Sequence, residues 1–361
     1  MNISGRLNRL RSEMTDNSLD VMLISSPENR RYFSGFTGSF GNLFITHEDQ
    51  FLVTDFRYVE QAETQCSEFS VVRLSGGGYS WMINLLGKNS NFKIGFEGND
   101  LSVEQYFNLE ATLSNSTSIS GFKLVKTTSL LDMIRAVKDS QEIETLKKAI
   151  EITDASFSEI SNSSKPGMSE KEIAWELEKA MRIKGAESLA FDTIVAAGKN
   201  GSMAHHRAGD SVISYPDFVV IDMGAKFQGY CADLTRTIFL GELDNKFREI
   251  YEIVLSAQVE ATRAAKPGMT GGELDNIARK VISNAGFGDY FGHGLGHGVG
   301  LVVHEYPRVG PKSQDVLKNG MVFTIEPGIY IPEWGGIRIE DVIVLDSDQP
   351  VVLSKSEKIK I

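Results

Sequence analysis

Cysteine is almost absent: Cys66 and Cys231 are the only two among 361 residues. A disulfide framework is excluded, and the pair is expected as buried packing residues of a reducing, cytoplasmic environment. Positive charge is also in short supply. Lys+Arg number 37 against 48 Asp+Glu, a formal net charge of −11, so the chain as a whole repels phosphate backbones and anionic lipid, and no nucleic-acid partner is expected. Long apolar runs are missing too, each being broken by Gly, Asp or Glu well short of the roughly 18 residues of a membrane span. No membrane association is expected. The opening MNISGRLNRLRSEMTDNSLD has no apolar core of the kind an export signal needs. Composition is otherwise that of a globular protein, 41% hydrophobic and 24% charged, and the length suits two domains.

Residues 1–126 alternate short apolar strands with helical stretches. Strands are expected at Val21–Ile24, Leu43–Thr46, Phe51–Thr54, Ser70–Leu74, Phe92–Phe96 and Phe122–Val125, with helices at Arg57–Gln65 and Val103–Thr112. This is a smaller, mixed α/β domain. Its polar-aromatic stretches RRYFSGFTGS and TDFRYVEQA read as loops or as the lining of a site. From residue 127 to 361 the pattern changes to long amphipathic helices, and the chain repeats itself. Lys165-Pro166-Gly167-Met168-Ser169 recurs as Lys266-Pro267-Gly268-Met269-Thr270. Each copy follows an amphipathic helix and opens another through a capping box, Ser169 with Glu172 and Thr270 with Glu273. An internal duplication is the simplest explanation, giving two similar halves with a site between them.

The chemistry-bearing residues lie in that second domain. Val219–Gly224 reads as a buried strand carrying Asp222, and Gly229–Phe239 as its return strand carrying Asp233. A symmetric hairpin centred between Phe227 and Gln228 sets the two carboxylates opposite one another, about 5 Å apart. A like pair at that distance in semi-buried surroundings needs a proton or a cation, unless each Asp instead caps a turn. A second hairpin, Val322–Ile331 and Gly336–Leu345 around Pro332-Glu333-Trp334-Gly335, puts Glu326 opposite Glu340 in the same way. Between the hairpins lies FGHGLGHGVGLVVHE, with His293, His297 and His304. Histidines four apart share a helix face, but the interleaved glycines oppose a helix and favour extended chain. Three of the chain's six histidines beside four carboxylates suggest a ligand or catalytic cluster rather than packing. Four carboxylates and an imidazole exceed the needs of one small cation and suit two divalent ions. Oxygen-rich ligation favours Mn²⁺, with Co²⁺, Fe²⁺ or Zn²⁺ as alternatives. Two ions about 3.5–4 Å apart activate water and polarise a carbonyl, so hydrolysis is the natural reaction.

The segments IDMGAKFQGYCADLTRT, FGHGLGHGVGLVVHEYP, FTIEPGIY and GIRIEDVIVL, in this order, resemble the pita-bread metallopeptidases, the superfamily of methionine aminopeptidase, aminopeptidase P and prolidase. The resemblance implies an α/β (α+β) architecture: a pita-bread catalytic domain with an internal pseudo-two-fold repeat, preceded by a creatinase-like domain. It implies five metal ligands, Asp222 on one ion, His297 and Glu326 on the other, and Asp233 and Glu340 bridging. Glu326 would also shuttle a proton, with His293 and His304 steadying the substrate carbonyl and the tetrahedral intermediate. His205 matches the histidine that the proline-specific branch places near the scissile bond, with His206 a weaker match, and Arg338 the arginine beside the bridging glutamate. A first domain of this size separates aminopeptidase P, prolidase and creatinase from simple methionine aminopeptidases, and creatinase lacks the metal set. The stretches YFSGFTGSFGNLFIT and FLVTDFRYVEQA look like those of short bacterial aminopeptidase P proteins. The expected activity is therefore removal of an N-terminal residue from peptides with proline second, by a homodimer. Xaa-Pro dipeptidase activity is the alternative, and a catalytically silent peptide-binding module on the same fold a more remote one.

Overall fold

Apolar residues at two-residue and three-to-four-residue spacing sort the chain into strands and helices in two units, residues 1–135 and 136–361. The computed structural model describes residues 2–87, 91–119, 121–242 and 244–359. The first unit runs α1 (Ile3–Asp16), β1 (Val21–Ile24), α2 (Pro27–Ser34), β2 (Asn42–Thr46), β3 (Gln50–Thr54), α3 (Val59–Gln65), β4 (Ser70–Arg73), α4 (Ser80–Leu86), β5 (Phe92–Glu97), α5 (Val103–Ser114), β6 (Phe122–Thr127) and α6 (Leu130–Ala136). Its six strands form one mixed sheet in the order β4-β3-β2-β1-β5-β6. Val21, Leu23, Phe44, Val53 and Ile94 pack from the sheet against Trp81, Met82 and Leu109 of the helices.

Three helices before residue 126 escaped the periodicity: α1, α2 and α4. In α1 the apolar residues Ile3, Leu7, Leu10 and Met14 bury one face of an otherwise polar segment. In α2, Ser26 caps the N-terminus, Pro27 sits in the first turn and Gly35 closes the helix in the left-handed region at φ +79°. RRYFSGFTGS is therefore not all loop: it begins inside α2, where Tyr32 and Phe33 are buried. The change of pattern read at Lys126 falls within β6, and the first unit continues through α6 to Arg135.

The second unit repeats itself in space. α7 (Ser140–Ser163) and α8 (Glu170–Ile183) lead to β7 (Ser188–Leu189), β8 (Ile194–Ala197), β9 (Asp217–Met223), β10 (Ala225–Phe227), β11 (Tyr230–Cys231) and β12 (Leu234–Leu240). Then α9 (Asn245–Ala264) and α10 (Gly271–Asn284) lead to β13 (Gly296–Gly298), β14 (Glu305–Val309), β15 (Val322–Ile325), β16 (Gly328–Ile331), β17 (Gly335–Arg338), β18 (Asp341–Asp346) and β19 (Gln349–Val352). Both Lys-Pro-Gly-Met turns put glycine at positive φ, +94° at Gly167 and +87° at Gly268. Their amides donate to Ile213 and Leu317, each at 2.9 Å, and both capping boxes form. The sheet β12-β9-β8 of one half has its counterpart in β18-β15-β13 of the other, and each half buries its own core. Among the described residues no helix is long and apolar enough to cross a membrane.

Of the two expected hairpins, one is displaced. β9 pairs with β12 so that Asp222 faces Thr235. The turn centres on Gln228 and Gly229, which have the paired positive φ of +47° and +81° that a tight hairpin turn requires. This two-residue shift keeps Asp233 on the same face as Asp222 but moves it across from Gly224, where an added Cβ would meet the Ala232 carbonyl oxygen at 2.0 Å. The second hairpin keeps its expected register. Gly328 faces Arg338 on one side and Ile325 faces Asp341 on the other, so Glu326 and Glu340 occupy the gap between two ladders of one continuous register.

Candidate metal centre

Strand alternation gathers the acidic residues. Asp222 comes from β9 and Asp233 from the residue just before β12, Glu326 and Glu340 from the gap between β15 and β16 and between β17 and β18, and His297 from β13. Glycines let these strands close in, since a Cβ at Gly296 would lie 2.1 Å from the Thr324 carbonyl oxygen and one at Gly298 2.1 Å from that of Tyr306. Short extended chain thus forms at His297, although most of residues 291–304 is turn and loop. Asp233, His297 and Glu340 each offer one atom within 4.8 Å of the others. His297 Nε2 lies 3.2 Å from Glu326 Oε1 and 3.7 Å from Asp233 Oδ2. Thr324 Oγ1 accepts from the His297 amide and donates to Glu326 Oε1 at 3.2 Å.

Asp222 stands on the other side of a buried guanidinium. Arg338 donates from Nη2 to Asp222 Oδ2 at 2.6 Å, from Nε to Thr235 Oγ1 at 3.0 Å, and from Nη1 to Tyr330 Oη at 2.9 Å. Thr235 in turn donates to Glu340 Oε2 at 2.7 Å. The remaining oxygen of Asp222, Oδ1, is buried with no hydrogen-bond partner among the described residues. A carboxylate oxygen left so needs a cation or a proton.

The electrostatics tell the same story. Burial, then the charges of Glu340 and Asp222, push Asp233 well above the carboxylate range. Burial, then Glu326 and Asp222, do the same to Glu340. Asp222 is raised by burial against the opposing pull of Arg338. Burial alone would raise Glu326 as well, but its hydrogen bond to His297 and nearby positive charge hold it at about 2. His297, which burial would lower, is lifted to about 9 by Glu326 and Glu340. Four carboxylates this close cannot all ionise unless cations replace the protons.

These groups line a cavity of about 650 Å³ whose walls, among the described residues, all come from the second unit. His205, His293 and His304 line it with the five residues above and Arg338. His304 stacks edge-on to His297, ring centroids 4.3 Å apart. His205 is exposed and makes no hydrogen bond among the described residues. His206 reaches the cavity but is tied at 2.7 Å to buried Glu170, which also accepts from the Ala197, Asn200 and Gly209 donors. It anchors the loop that presents His205. Burial lowers His293, keeping it neutral at pH 7; its Nδ1 meets the Gly294 carbonyl at 2.7 Å and its Nε2 the Tyr330 hydroxyl at 2.9 Å. With Nδ1 donating to the carbonyl, Nε2 accepts from Tyr330, an assignment made from these partners.

Tyr330 and Thr235 were missed by the sequence reading. Alternation offered the signal, because Tyr330 shares a strand face with Glu326 and Thr235 with Asp233. Tyr330→Phe is expected to lower kcat about tenfold, the loss of one or two modest hydrogen bonds, while bound metal stays at the wild-type level by elemental analysis.

Comparisons with known proteins show the family. The pattern of Metallopeptidase family M24 matches residues 144–347 and that of the Creatinase/Prolidase N-terminal domain residues 6–137. A Xaa-Pro dipeptidase of Pyrococcus furiosus is 41% identical over 98% of both chains. Among solved structures, a Xaa-Pro dipeptidase from Bacillus anthracis superposes with a TM-score of 0.93 at 39% identity, covering 100% of this chain and 99% of that one. An X-Pro aminopeptidase from Thermotoga maritima superposes at 0.86 with 38% identity, covering 96% and 99%. With its pita-bread unit, duplicated halves and creatinase-like first domain, the chain belongs to Metallopeptidase family M24.

Proposed function

We propose that the protein is a dinuclear metal-dependent peptidase that hydrolyses the bond between an N-terminal residue and proline, acting on dipeptides in preference to longer peptides. The observation that carries the metal assignment is the set of four carboxylates and His297 lining one cavity, with Asp222 Oδ1 lacking any hydrogen-bond partner among the described residues. Asp222 would hold one ion, His297 and Glu326 the other, and Asp233 and Glu340 both; the oxygen-rich donor set suits Mn²⁺. When bound, the ions supply a water acidified to near neutral pH and polarise the scissile carbonyl. Glu326, steadied by Thr324 and His297, takes up and returns a proton. His205 and His304, whose rings make no hydrogen bonds among the described residues, donate to the carbonyl and its tetrahedral successor. His293 holds Tyr330, and Arg338 orients Asp222 through a charge-assisted bond. Phe191, Ile194 and Val303 give the cavity an apolar wall that suits a pyrrolidine ring.

The names of several relatives favour dipeptides over the aminopeptidase reading, and so does the cavity. Arg308 faces His297 across the β13–β14 ladder, lines the cavity and has no ion-pair partner among the described residues. A guanidinium there suits the terminal carboxylate of a dipeptide, which in a tripeptide lies one residue farther away. The test is release of proline from Xaa-Pro, against release of the first residue from a matched Xaa-Pro-Yaa, by chelator-stripped protein with and without Mn²⁺. Mn²⁺-dependent cleavage of the dipeptide is expected, with Arg308→Ser raising its KM about tenfold or more and leaving kcat nearly unchanged. Cleavage of the tripeptide alone would restore the aminopeptidase reading, and silence on both with metal bound would favour the binding-only module. A homodimer in the cytoplasm completes the proposal by resemblance to the superfamily, and sedimentation tests the dimer.

A further inference from the structure

Among the described residues, the segment following β19 lines no part of the cavity, yet it is held at several points. Asp154 of α7 accepts from the amides of Lys355 and Ser356 at 2.8 and 3.0 Å and from the Ser356 hydroxyl at 2.5 Å. The Ile359 amide donates to Tyr251 Oη of α9 at 2.8 Å. Ser354 Oγ accepts from the Val342 amide of β18. Residues 353–359 thus strap the first helix of one half to the first helix of the other. Beneath the strap lies Arg236, 2% exposed and among the largest fully buried side chains. Its guanidinium donates to the Ser356 carbonyl at 2.8 Å, to Asp341 Oδ1 at 2.7 Å, to the Thr235 carbonyl at 2.9 Å, and to the Glu340 carbonyl. Asp341 is held in turn by Gln258 at 2.9 Å and Lys358 at 2.5 Å.

We infer that Arg236, Asp341 and the strap at residues 353–359 form a positioning cluster that fixes Glu340 and Thr235 from behind and sets the affinity of the metal site. Arg236 touches neither cavity nor substrate. It holds the backbone of the two residues whose side chains join in the Thr235-to-Glu340 hydrogen bond, on strands contributed by opposite halves of the duplication. Ligand-orienting partners of this kind change metal affinity by about 10–100-fold when removed. The coupling is reciprocal: whatever the strap adds to metal affinity, bound metal adds to the closure of the strap. The inference rests on Glu340 being a metal ligand.

The experiment is Mn²⁺ titration by calorimetry of the full chain as wild type, Glu340→Gln, Arg236→Met, Arg236→Lys and Asp154→Ala, with hydrogen exchange of residues 353–359 measured with and without Mn²⁺. Arg236→Met is expected to weaken Mn²⁺ binding about 10–100-fold. Arg236→Lys, which retains a donor for the Glu340 carbonyl, should recover part of that loss. Asp154→Ala, distant from the cavity, should weaken binding by a smaller factor, and Mn²⁺ should slow exchange of the strap in wild type. If Glu340→Gln leaves two-ion binding intact, the ligand assignment itself fails. If Glu340→Gln loses an ion while Arg236→Met and Asp154→Ala lower only the melting temperature and leave Mn²⁺ affinity and strap exchange unmoved, the cluster is merely structural and the inference is overturned.

Discussion

Asp233→Asn is expected to lower kcat/KM by at least ~10³-fold, because as the proposed shared ligand Asp233 would be worth several kcal/mol of charge stabilisation and each 1.4 kcal/mol is a factor of ten. The same substitution should raise the melting temperature of the metal-stripped protein. The two effects have one cause. Asp233 is buried beside Glu340, Asp222 and Glu326, and its carboxyl is pushed far up by burial and by their charges. Without cations that crowding opposes folding, and an amide of nearly the same shape removes it. Holding Asp233 protonated in the fold, where the unfolded chain would ionise it, costs a few kcal/mol at neutral pH, or about 5 °C at roughly 2–4 °C per kcal/mol for a unit of this size. Calorimetric melts of stripped and Mn²⁺-loaded protein, with assays on Xaa-Pro dipeptide, check both signs. An active Asp233→Asn enzyme that still binds two ions would sink the assignment, and a stripped variant less stable than wild type would show that the carboxylate is compensated from within the protein.

The second large effect is the dependence of metal stabilisation on pH. His297 has a folded pKa of about 9 against an ordinary value of 6.5. Its ion pair with Glu326 therefore supports the stripped protein fully below pH 6.5 and is lost as pH rises through 9. Asp233, Glu340 and Asp222 are raised as well, so their contribution has the same sign and declines as pH climbs above the usual carboxylate range. Glu326, held at about 2, contributes above its ordinary range and loses that only as pH falls through 2. Metal binding inverts the trend, because ions displace these protons and compete better as protons become scarce. At a hundredfold excess over Kd, each ion adds about 2.7 kcal/mol, so two should raise the melting temperature by roughly 10 °C or more. The Mn²⁺-induced rise is expected to grow between pH 6 and pH 8.5, with proton release on titration in buffers of different ionisation heat. A shift that shrinks with pH would mean that the protons sit elsewhere.

What the sequence made legible follows from the length scale of each feature. The duplication was visible because a glycine turn and a capping box are local, and four identical residues followed by a hydroxyl cap build the same corner twice. The carboxylate pairs were visible because strand alternation is local too: Glu326 and Glu340 fall opposite each other as their symmetric hairpin implied. The first hairpin was placed two residues off, since Gln228 and Gly229, rather than Phe227 and Gln228, take the positive φ of the turn. Asp222 and Asp233 still share a face because an even shift preserves it. Arg236, Thr235 and Tyr330 were opaque for another reason. Alternation puts Thr235 and Tyr330 on the face of the acidic residues, but the partners of Arg236, Thr235 and Tyr330 lie 104, 105 and 37 residues away at Glu340 and His293, and no periodicity within one strand names a partner that distant.

The gap holding Glu326 and Glu340 has a consequence for tinkering with this molecule. The strand pairings on either side share one register, so the tip at residues 332–334 counts residues by parity. Lengthening one arm of the hairpin by a single residue would turn one glutamate toward the helices and the other toward the cavity. Lengthening both arms equally leaves the pair intact and projects the tip farther out. Loop libraries built in matched steps at this tip can therefore alter what meets the solvent there without dismantling the acidic pair, whereas single insertions within either arm will read out as loss of one of the two proposed ligands.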